Sequence, residues 1–497
     1  MIDRIKQNIE LSPENVAFVI GETAFTYREL GEKIATIQQV IEQVSEIRNE
    51  IIGVVTRNDI ETYATIYALW FSGKCFLPIN PLLPISRNQS IIEQTDIRIL
   101  ISSQDSDLTF PSSRISHYIT SANIEKHHSG LQLHDYSDDD LMYVLFTSGS
   151  TGVPKGVPIH RRNLNAFVTN FVSNGYDFTS NDHFLQMFDF TFDVSVLCYT
   201  VPLYVGASVH TVPLDNIKFL SIYQILDKHQ ITVSMVVPSA VSYLRPYFRK
   251  IKLPHLRFSM FTGEALPDQL VAEWAECAPN ALIQNYYGPT EGTIDCIYYN
   301  WSPNRREGKT YNGIVSIGKP FGDTIAIILS ESGELVADSS KGELYIGGNQ
   351  IAQSYYKLAD KSAEAFVELP FEGELRHFYR TGDLVYRDTD GDIMYCGRID
   401  YQVQVQGYRV ELGELEHHAK QVVGNIQVAA IAKENQQGNT QLHLFVEGCT
   451  IELEALTGRL QELLPYYMMP SKIYYKERFP ITPSGKIDRK KLLATLD

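Results

Sequence analysis

Short apolar runs recur between residues 50 and 300 of the chain, and longer amphipathic segments separate them. The runs are rich in β-branched and aromatic residues, and they include IIGVVT, MYVLFTS, VSMVVP and LIQNYYG. This alternation predicts stacked βα units whose strands form parallel sheets. Several runs end in polar or glycine-rich turns, where open α/β sheets place their ligands. The expected fold class is therefore α/β.

The character of the chain changes twice after residue 300. From about residue 313 to 400, short strands alternate with turns such as ESGE and DTDGD, which predicts a β-rich subdomain. The following segment alternates helix and strand over a length sufficient for a small α+β domain. A chain of 497 residues also exceeds the size that one hydrophobic core supports. We expect an N-terminal core domain over residues 1–399 and a mobile C-terminal lid domain over residues 400–497.

Composition argues against several classes of function. The chain has 43 Lys and Arg residues against 59 Asp and Glu residues, and its net charge of −16 argues against non-specific binding of nucleic acid. It has no long uninterrupted apolar segment, and its charged N-terminus lacks the apolar core of a signal peptide. The scattered cysteines show no CxxC spacing. We expect a cytoplasmic monomer that binds neither nucleic acid nor a membrane.

The segment LFTSGSTGVPKGV places hydroxyl and glycine residues directly after an expected strand. Its backbone N–H groups, its hydroxyl groups and the ammonium group of Lys155 suit a polyphosphate, because they offer donors and positive charge with little bulk. Pro154 precedes this lysine and Gly156 follows it, so the spacing is not that of a Walker A loop. A mobile surface loop without a ligand is the alternative interpretation.

This segment resembles the signature loop of the adenylate-forming superfamily, which includes acyl-CoA synthetases, luciferases and the adenylation domains of nonribosomal peptide synthetases. Further segments resemble the family in the same order, among them FDVSV, FTGEALP, NYYGPTEGT, YRTGDL, GRIDYQVQVQGYRVELGELE and TPSGKIDRKKL. The resemblance implies that the loop holds the β- and γ-phosphates of ATP while a carboxylate attacks the α-phosphorus. An acyl-adenylate and pyrophosphate would form, and a thiol would then attack the adenylate.

The resemblance also implies roles for single residues. Lys486 matches the catalytic lysine that bridges the substrate carboxylate and the α-phosphate, Thr147 lies in the catalytic loop, and Glu291 matches the ligand of Mg²⁺. Asp383 matches the acceptor of both ribose hydroxyl groups. The residues expected to bind the nucleotide are Ser148, Gly149, Ser150, Thr151, Gly152, Lys155, Gly263, Glu264, Ala265, Tyr287, Thr290, Asp383 and Arg398.

Two further positions match the moving parts of the family. Asp400 matches the hinge about which the small domain swings, and Gly407 matches a residue beside the incoming thiol arm. The swing would present Lys486 for adenylate formation and then withdraw it, so that QGYRVELGE faces the adenylate. Domain closure of this kind often limits turnover.

Asp193 in FDVSV distinguishes branches of the family. A buried carboxylate is costly without a partner, and an α-ammonium group is a natural partner for it. Members that activate fatty acids or luciferin bind no ammonium group, so Asp193 favours an amino acid substrate. A helix N-cap is the alternative role for this residue. The pocket positions carried over from the resemblance are Asp193, Val194, Leu197, Met235, Met260, Thr262, Tyr286, Ile294 and Asp295.

Most of these pocket side chains are medium or large and none is glycine or alanine, so a small amino acid such as alanine or serine is favoured. Asp295 departs from an apolar wall, and it can accept a hydrogen bond from a substrate hydroxyl or attract a cation. An aryl amino acid of the anthranilate type, activated for secondary metabolism, stays open because Met235 and Met260 can adapt to a flat ring. An acyl- or aryl-CoA ligase is a further alternative. A nucleotide-binding protein without catalysis is disfavoured, since Lys486 and Glu291 are both present.

The sequence shows no carrier motif after KKLLATLD and no condensation domain before the first expected helix. We therefore expect a free-standing ligase that uses ATP and Mg²⁺ to load the phosphopantetheine thiol of a separate carrier protein, in a pathway such as antibiotic biosynthesis. The chain is also similar to the D-alanine:carrier-protein ligases. Those enzymes, however, have a cysteine where this chain has Thr262 and an apolar residue where it has Asp295.

Overall fold

The computed structural model describes residues 1–105, 114–124, 130–149, 152–213, 218–303, 309–424, 426–448, 451–482 and 487–496. We call residues 1–399 the N-terminal region and the residues from 400 onward the C-terminal region. The described helices of the N-terminal region are α1 (Ile2–Leu11), α2 (Tyr27–Val44), α3 (Ile60–Phe71), α4 (Ile85–Thr95), α5 (Arg161–Val172), α6 (Val194–Val205), α7 (Lys218–Lys228), α8 (Pro238–Leu244), α9 (Asp268–Ala275) and α10 (Ala359–Ala365).

The strands of the N-terminal region alternate with these helices up to about residue 300. They are β1 (Val16–Ile20), β2 (Thr23–Thr26), β3 (Ile51–Val55), β4 (Cys75–Ile79), β5 (Ile99–Ser102), β6 (His117–Thr120), β7 (Leu141–Thr147), β8 (Lys155–His160), β9 (His183–Gln186), β10 (Ser208–Thr211), β11 (Val233–Val236), β12 (Phe258–Phe261), β13 (Leu282–Tyr287), β14 (Ile297–Trp301), β15 (Thr310–Tyr311), β16 (Ile314–Val315), β17 (Lys319–Pro320), β18 (Ile325–Leu329), β19 (Gly342–Gly347), β20 (Phe366–Phe371), β21 (Glu374–Arg387) and β22 (Ile393–Arg398).

Two large sheets form the centre of the N-terminal region. One has the strand order β6-β5-β3-β4-β7-β8, and the other has the order β17-β14-β13-β12-β11-β9-β10-β1-β2. Strands β3, β4 and β5 pair in parallel, as do β9 to β13. Every residue of β4, β10, β11 and β12 is buried, which is typical of parallel strands covered on both faces. The predicted parallel βα architecture is confirmed.

Local sequence signals fix where several helices begin. At the start of α2, the Thr26 hydroxyl accepts from the Glu29 amide and the Glu29 carboxylate accepts from the Thr26 amide, which forms a capping box. The Asp59 carboxylate caps α3 by accepting from the Thr62 amide. Helix α6 is apolar on all sides and is buried from Val194 to Leu203. Its N-terminus therefore places Asp193 deep in the molecule.

The β-rich prediction for residues 313–400 is also confirmed. Strands β18 to β22 form one antiparallel sheet of order β18-β19-β21-β20, with β22 paired to β21. This sheet follows the two large sheets in the chain. Its strands β21 and β22 carry residues of the candidate site.

The C-terminal region is an α+β structure with apolar clusters of its own. Val410, Leu415, Leu444 and Leu456 belong to one buried cluster, and Phe445 belongs to another. The separate clusters support a domain boundary near residue 400, which stays a prediction. The elements described in this region are β23 (Gln402–Val405), β24 (Tyr408–Glu411), α11 (Leu412–Val423), β25 (Val428–Glu434), β26 (Thr440–Glu447), α12 (Leu453–Leu463), β27 (Lys472–Lys476) and α13 (Arg489–Leu493).

The two helices α3 and α6 are strongly apolar, but each has only 12 residues. None of the helices in the described part of the chain combines the length and the apolarity that crossing a membrane requires.

Candidate functional site

The predicted phosphate loop connects two antiparallel strands. Thr147 at the end of β7 pairs in register with Lys155 at the start of β8, and β8 is an edge strand of its sheet. A Cβ atom on Gly149 would lie 2.1 Å from the Val153 carbonyl oxygen, so only glycine fits there. The loop leads into strand β8 rather than into a helix. No helix N-terminus therefore follows it directly, and the donors that it can offer to an anion are those of the loop itself. Ser150 and Thr151 lie outside the described residues.

The C-terminal region covers this loop. The Ser148 hydroxyl donates to the Arg409 carbonyl oxygen (2.8 Å), and the Gly149 amide donates to Glu414 Oε2 (3.1 Å). Gly152 faces His417, because a Cβ atom at Gly152 would lie 2.5 Å from the imidazole ring. In this arrangement the Glu414 carboxylate accepts from the Gly149 amide, a donor that the loop could otherwise offer to a bound anion.

An ion pair buried between the two regions holds the Glu414 carboxylate in place. Its Oε1 atom lies 2.7 Å from Arg87 Nη1, and the side chains are 0% and 7% exposed for Glu414 and Arg87. Arg87 belongs to α4 and Glu414 to α11, so the pair ties the N-terminal region to the C-terminal region. Removing one partner would leave the other charge buried and unpaired, which is costly.

Glu291 lies in a single turn of helix and is completely buried. The Tyr355 hydroxyl donates to its Oε1 atom (2.7 Å), and Arg409 Nη1 lies 3.0 Å from its Oε2 atom. Burial favours the neutral acid, but Arg409 and Lys155 hold the pKa of Glu291 below its ordinary value. The carboxylate is therefore ionised and paired with Arg409.

The chemistry of Glu291 suits Mg²⁺, because this ion prefers oxygen ligands and keeps phosphate and water in its shell. One protein carboxylate is then sufficient. Among the described residues, no group of three or more His, Cys, Asp or Glu side chains is arranged to hold a metal. Each Glu291 oxygen already has one protein partner, so Arg409 competes with a metal ion for this carboxylate.

Most of the remaining nucleotide-binding positions surround one cleft of about 720 Å³ between the two regions. Asp383 Oδ2 accepts from the Tyr287 hydroxyl, and Asp383 Oδ1 lies 2.9 Å from Arg398 Nη1. Burial raises the pKa of Asp383, while Arg398 opposes that shift. The structure thus brings together around this cleft Gly263, Glu264, Ala265, Tyr287, Asp383 and Arg398.

The predicted hinge and the predicted thiol-arm position both contact this site. Asp400 accepts from Arg398 Nε (2.8 Å) and Nη2 (2.6 Å). The Gly407 amide donates to Glu264 Oε1 (2.7 Å), and a Cβ atom at Gly407 would lie 2.6 Å from a methyl group of Val237. Gly407 also has a φ of +84°. The site therefore requires glycine at this point of contact. Lys486 lies outside the described residues.

All of the predicted pocket residues are buried: Asp193, Val194, Leu197, Met235, Met260, Thr262, Tyr286, Ile294 and Asp295. Asp193 directly precedes α6, but its side chain makes no capping hydrogen bond. Burial raises the pKa of Asp193 to about 7, although hydrogen bonds from Thr290 and two backbone amides oppose the shift. Its Oδ2 atom has no hydrogen-bond partner among the described residues. One of these amides belongs to Val194, the first residue of α6, so the carboxylate bonds to the start of the helix without forming an N-cap hydrogen bond.

Two features of the pocket concern its size and polarity. The Tyr286 hydroxyl is hydrogen-bonded to the Tyr176 hydroxyl, which in turn donates to Gln284 (2.8 Å), so the Tyr286 ring is fixed in the pocket wall. Asp295 is 0% exposed, and its Oδ1 atom accepts from the Thr262 hydroxyl (2.7 Å). Burial raises the pKa of Asp295 to about 8.

The sequence interpretation missed several residues of the site. Arg409 and Glu414 lie in GYRVELGELE, the segment that begins at Gly407, and their charges are the sequence signal for a role at the site. Tyr355 and Arg87 offered no signal, because only the folded chain brings them to Glu291 and Glu414.

Known proteins are similar in sequence to this chain over most of its length. The profile of the AMP-binding enzyme family matches residues 5–356. Zwittermicin A synthase ZmaJ of Bacillus cereus is 31% identical over 498 residues, covering 98% of this chain and 93% of that protein. Other relatives are much longer than this chain. Tyrocidine synthase 1 of Brevibacillus parabrevis is 30% identical over 496 residues, covering 98% of this chain, and the chain spans 44% of its length.

Solved structures show the same fold. The adenylation domain AlmE of Vibrio cholerae, solved in complex with glycyl-adenosine-5′-phosphate, superimposes with a TM-score of 0.85 at 24% identity. The match covers 99% of this chain and 97% of that one.

Proposed function

The chain belongs to the AMP-binding enzyme family, whose members form adenylates from ATP, and from this membership we propose that it is an amino acid:carrier-protein ligase. In the first step the substrate carboxylate attacks the α-phosphorus of ATP, an aminoacyl-adenylate forms and pyrophosphate leaves. In the second step the phosphopantetheine thiol of a carrier protein attacks the acyl carbon, a thioester forms, the thiol proton is released and AMP leaves. The substrate is a small amino acid of the alanine or serine type.

The observation that carries the proposal is the environment of Asp193. This carboxylate is buried, one of its oxygens has no partner among the described residues, and Thr290 connects it to the turn that carries Glu291. A buried carboxylate in this state is stabilised by an ammonium group. The α-ammonium group of an amino acid bound here would place its carboxylate toward the nucleotide residues. The large side chains of the pocket, with Tyr286 fixed by Tyr176, favour a small substrate.

The nucleotide would lie in the cleft, with its ribose on Asp383, its adenine beside Tyr287 and its phosphates on the loop from Ser148 to Lys155. Bound Mg²⁺ would neutralise phosphate charge, with Glu291 as its protein ligand. The roles assigned to Lys486, Thr147 and the remaining loop residues are part of the same proposal.

The observed arrangement of the two regions suits the second step. Glu414 and Arg409 contact the phosphate loop and Glu291, so the triphosphate and this docked position exclude each other. Gly407 meanwhile lies against Glu264 at the cleft, where the thiol arm would enter. We propose that this position follows release of pyrophosphate.

Replacing Arg87 by alanine should selectively slow the second step. The substitution leaves Glu414 as a buried charge without its partner, and breaking such a pair costs about 3 to 5 kcal/mol. We expect aminoacyl transfer to the carrier to slow by at least about tenfold, with a much smaller change in pyrophosphate release. Single-turnover transfer from purified adenylate measures the first quantity. Arg98→Ala, at an exposed arginine, is the matched control. Equal loss in both steps would contradict the assignment.

The affinity for an amine substrate should depend on pH through Asp193. Only the ionised carboxylate pairs with ammonium, and its pKa in the free protein is about 7. We expect KM to rise about tenfold for each pH unit below that value and to level off above it. Measuring KM from about pH 5.5 to 8.5 tests this, with Asp193→Asn as the variant that removes the dependence. A flat profile for the unchanged protein would contradict the role of Asp193.

The same pKa has a consequence for the protein without substrate. The ordinary pKa of an aspartate, 3.8, applies to Asp193 in the unfolded chain, whereas its pKa in the folded protein is about 7. The folded state therefore binds the proton more tightly than the unfolded chain does. The free energy of unfolding should therefore fall as the pH rises from near 4 through about 7.

The proposed function is tested by pyrophosphate release with ATP and Mg²⁺ across L- and D-alanine, glycine, L-serine, larger amino acids and hydroxylated anthranilates. A response to one small α-amino acid, followed by thioester formation on a phosphopantetheinylated carrier protein, is the expected result. A response to aryl acids alone, or transfer only to coenzyme A, would replace the proposal with an aryl amino acid ligase or a CoA ligase.

A further inference from the structure

A second buried carboxylate lies in the same pocket, and the proposed function gives it no part in binding the α-ammonium group. Asp295 is 0% exposed, and Thr262 donates to its Oδ1 atom at 2.7 Å. Its Oδ2 atom is completely buried and has no hydrogen-bond partner among the described residues. A buried polar atom without a partner costs free energy. This oxygen is therefore positioned for a ligand that the protein itself does not provide.

Among the described residues, no cation contributes to the electrostatic environment of Asp295. Its neighbours are Thr262 after β12, Asp193 just before α6, Cys198 within α6, and Tyr286 in β13. The Gln350 amide donates to the backbone carbonyl of Asp295 (3.0 Å), and Oδ2 of the carboxylate keeps no partner among the described residues. Asp193 is itself an acid and repels a second negative charge. The unmet requirement is thus for a small hydrogen-bonding group on the substrate.

A hydroxyl group meets this requirement better than the alternatives do. It can donate to Asp295 Oδ2 when the carboxyl group is ionised and can accept from it when the group is protonated. It also adds no charge to a pocket in which Asp193 already accounts for the substrate ammonium group. A methyl group would leave Asp295 without a partner, and a second ammonium group would have to be desolvated beside it.

We propose that Asp295 and Thr262 select an amino acid with a short hydroxylated side chain, of the serine type, over alanine. This inference rests on the proposed function, because it assumes that Asp193 binds the α-ammonium group. The substrate hydroxyl group would bond to Asp295 Oδ2, the oxygen that Thr262 leaves without a partner.

The test compares kcat/KM for ATP-pyrophosphate exchange with L-serine, L-alanine, glycine and L-2,3-diaminopropionate. We expect serine to exceed alanine by about 10²-fold or more, because a site built around a substrate hydroxyl discriminates strongly against analogues that lack it. In Asp295→Ala the ratio of serine to alanine should collapse toward one. Asp338→Ala, at an exposed aspartate, is the control and should keep the ratio of the unchanged protein.

Several results would overturn the inference. Equal use of serine and alanine by the unchanged protein would do so, as would an undiminished ratio in Asp295→Ala or a preference for diaminopropionate. If Asp295→Ala does not fold, the ratio of serine to alanine is measured instead on the isosteric variant Asp295→Asn. That ratio, together with the ratio of the unchanged protein, then decides whether the inference holds. Failure of every amine-bearing compound, with turnover of aryl or acyl acids, would refute the proposed function itself, whereas turnover of amino acids without a serine preference would refute only this inference.

Discussion

Replacing Lys486 by alanine is expected to lower the rate of adenylate formation by about 10²- to 10³-fold, because this lysine is proposed to stabilise charge on the substrate carboxylate and the α-phosphate. Transfer of the aminoacyl group from adenylate supplied in advance should retain most of its rate. The structure supports this separation, since the C-terminal region presents Gly407, Arg409 and Glu414 to the site. Ile487, the first described residue after the lysine, packs instead on the cluster that contains Phe445.

The two half-reactions must be measured separately to test this. Pyrophosphate release during a single turnover reports the first, and thioester formation from purified adenylate reports the second. Lys490→Ala removes an exposed lysine of α13 and controls for loss of positive charge in the same segment. If Lys486→Ala slowed both half-reactions to the same extent, one arrangement of the two regions would serve both steps and the proposed alternation would be wrong.

Replacing Asp193 by alanine is expected to reduce kcat/KM for amine-bearing substrates by about 10²- to 10⁴-fold, which corresponds to the roughly 3 to 5 kcal/mol lost when one partner of a buried pair is removed. The physical reason is that the substrate ammonium group would enter a buried site without its counter-charge. Asp193 forms no N-cap hydrogen bond and bonds within α6 to the amide of Val194, its first residue, so the loss of helix stability should be smaller than the loss of substrate binding.

The decisive comparison uses substrates that differ only in the amino group. Alanine and serine should lose activity in Asp193→Ala, whereas propionate and 3-hydroxypropionate, which are expected to be poor substrates of the unchanged protein, should lose none. Thermal unfolding of the variant monitors its stability in parallel. A loss of equal size for both sets, together with a lowered melting temperature, would show that Asp193 supports α6 rather than the substrate.

The phosphate loop illustrates how far local sequence reasoning extends. Its glycines and hydroxyl residues predict a phosphate-binding role, which stays a prediction, and the strand expected before the loop is present as β7. What the sequence did not indicate is that the loop returns into an antiparallel strand, or that Glu414, 265 positions further along the chain, accepts from Gly149. The latter contact depends on how the two regions dock, and no local pattern encodes docking.

The amino acid pocket shows the same division. The residue pattern alone was enough to establish the α/β architecture, the order of the motifs and the presence of acids at positions 193 and 295, because apolar periodicity and short motifs act over a few residues. The folded chain was needed to show that Thr262 donates to one oxygen of Asp295 and leaves the other without a partner among the described residues. It was also needed to show that Arg409 pairs with Glu291. Burial and partner geometry arise when distant strands and helices pack together, and the free energy of a buried charge depends on that packing rather than on its neighbours in the chain.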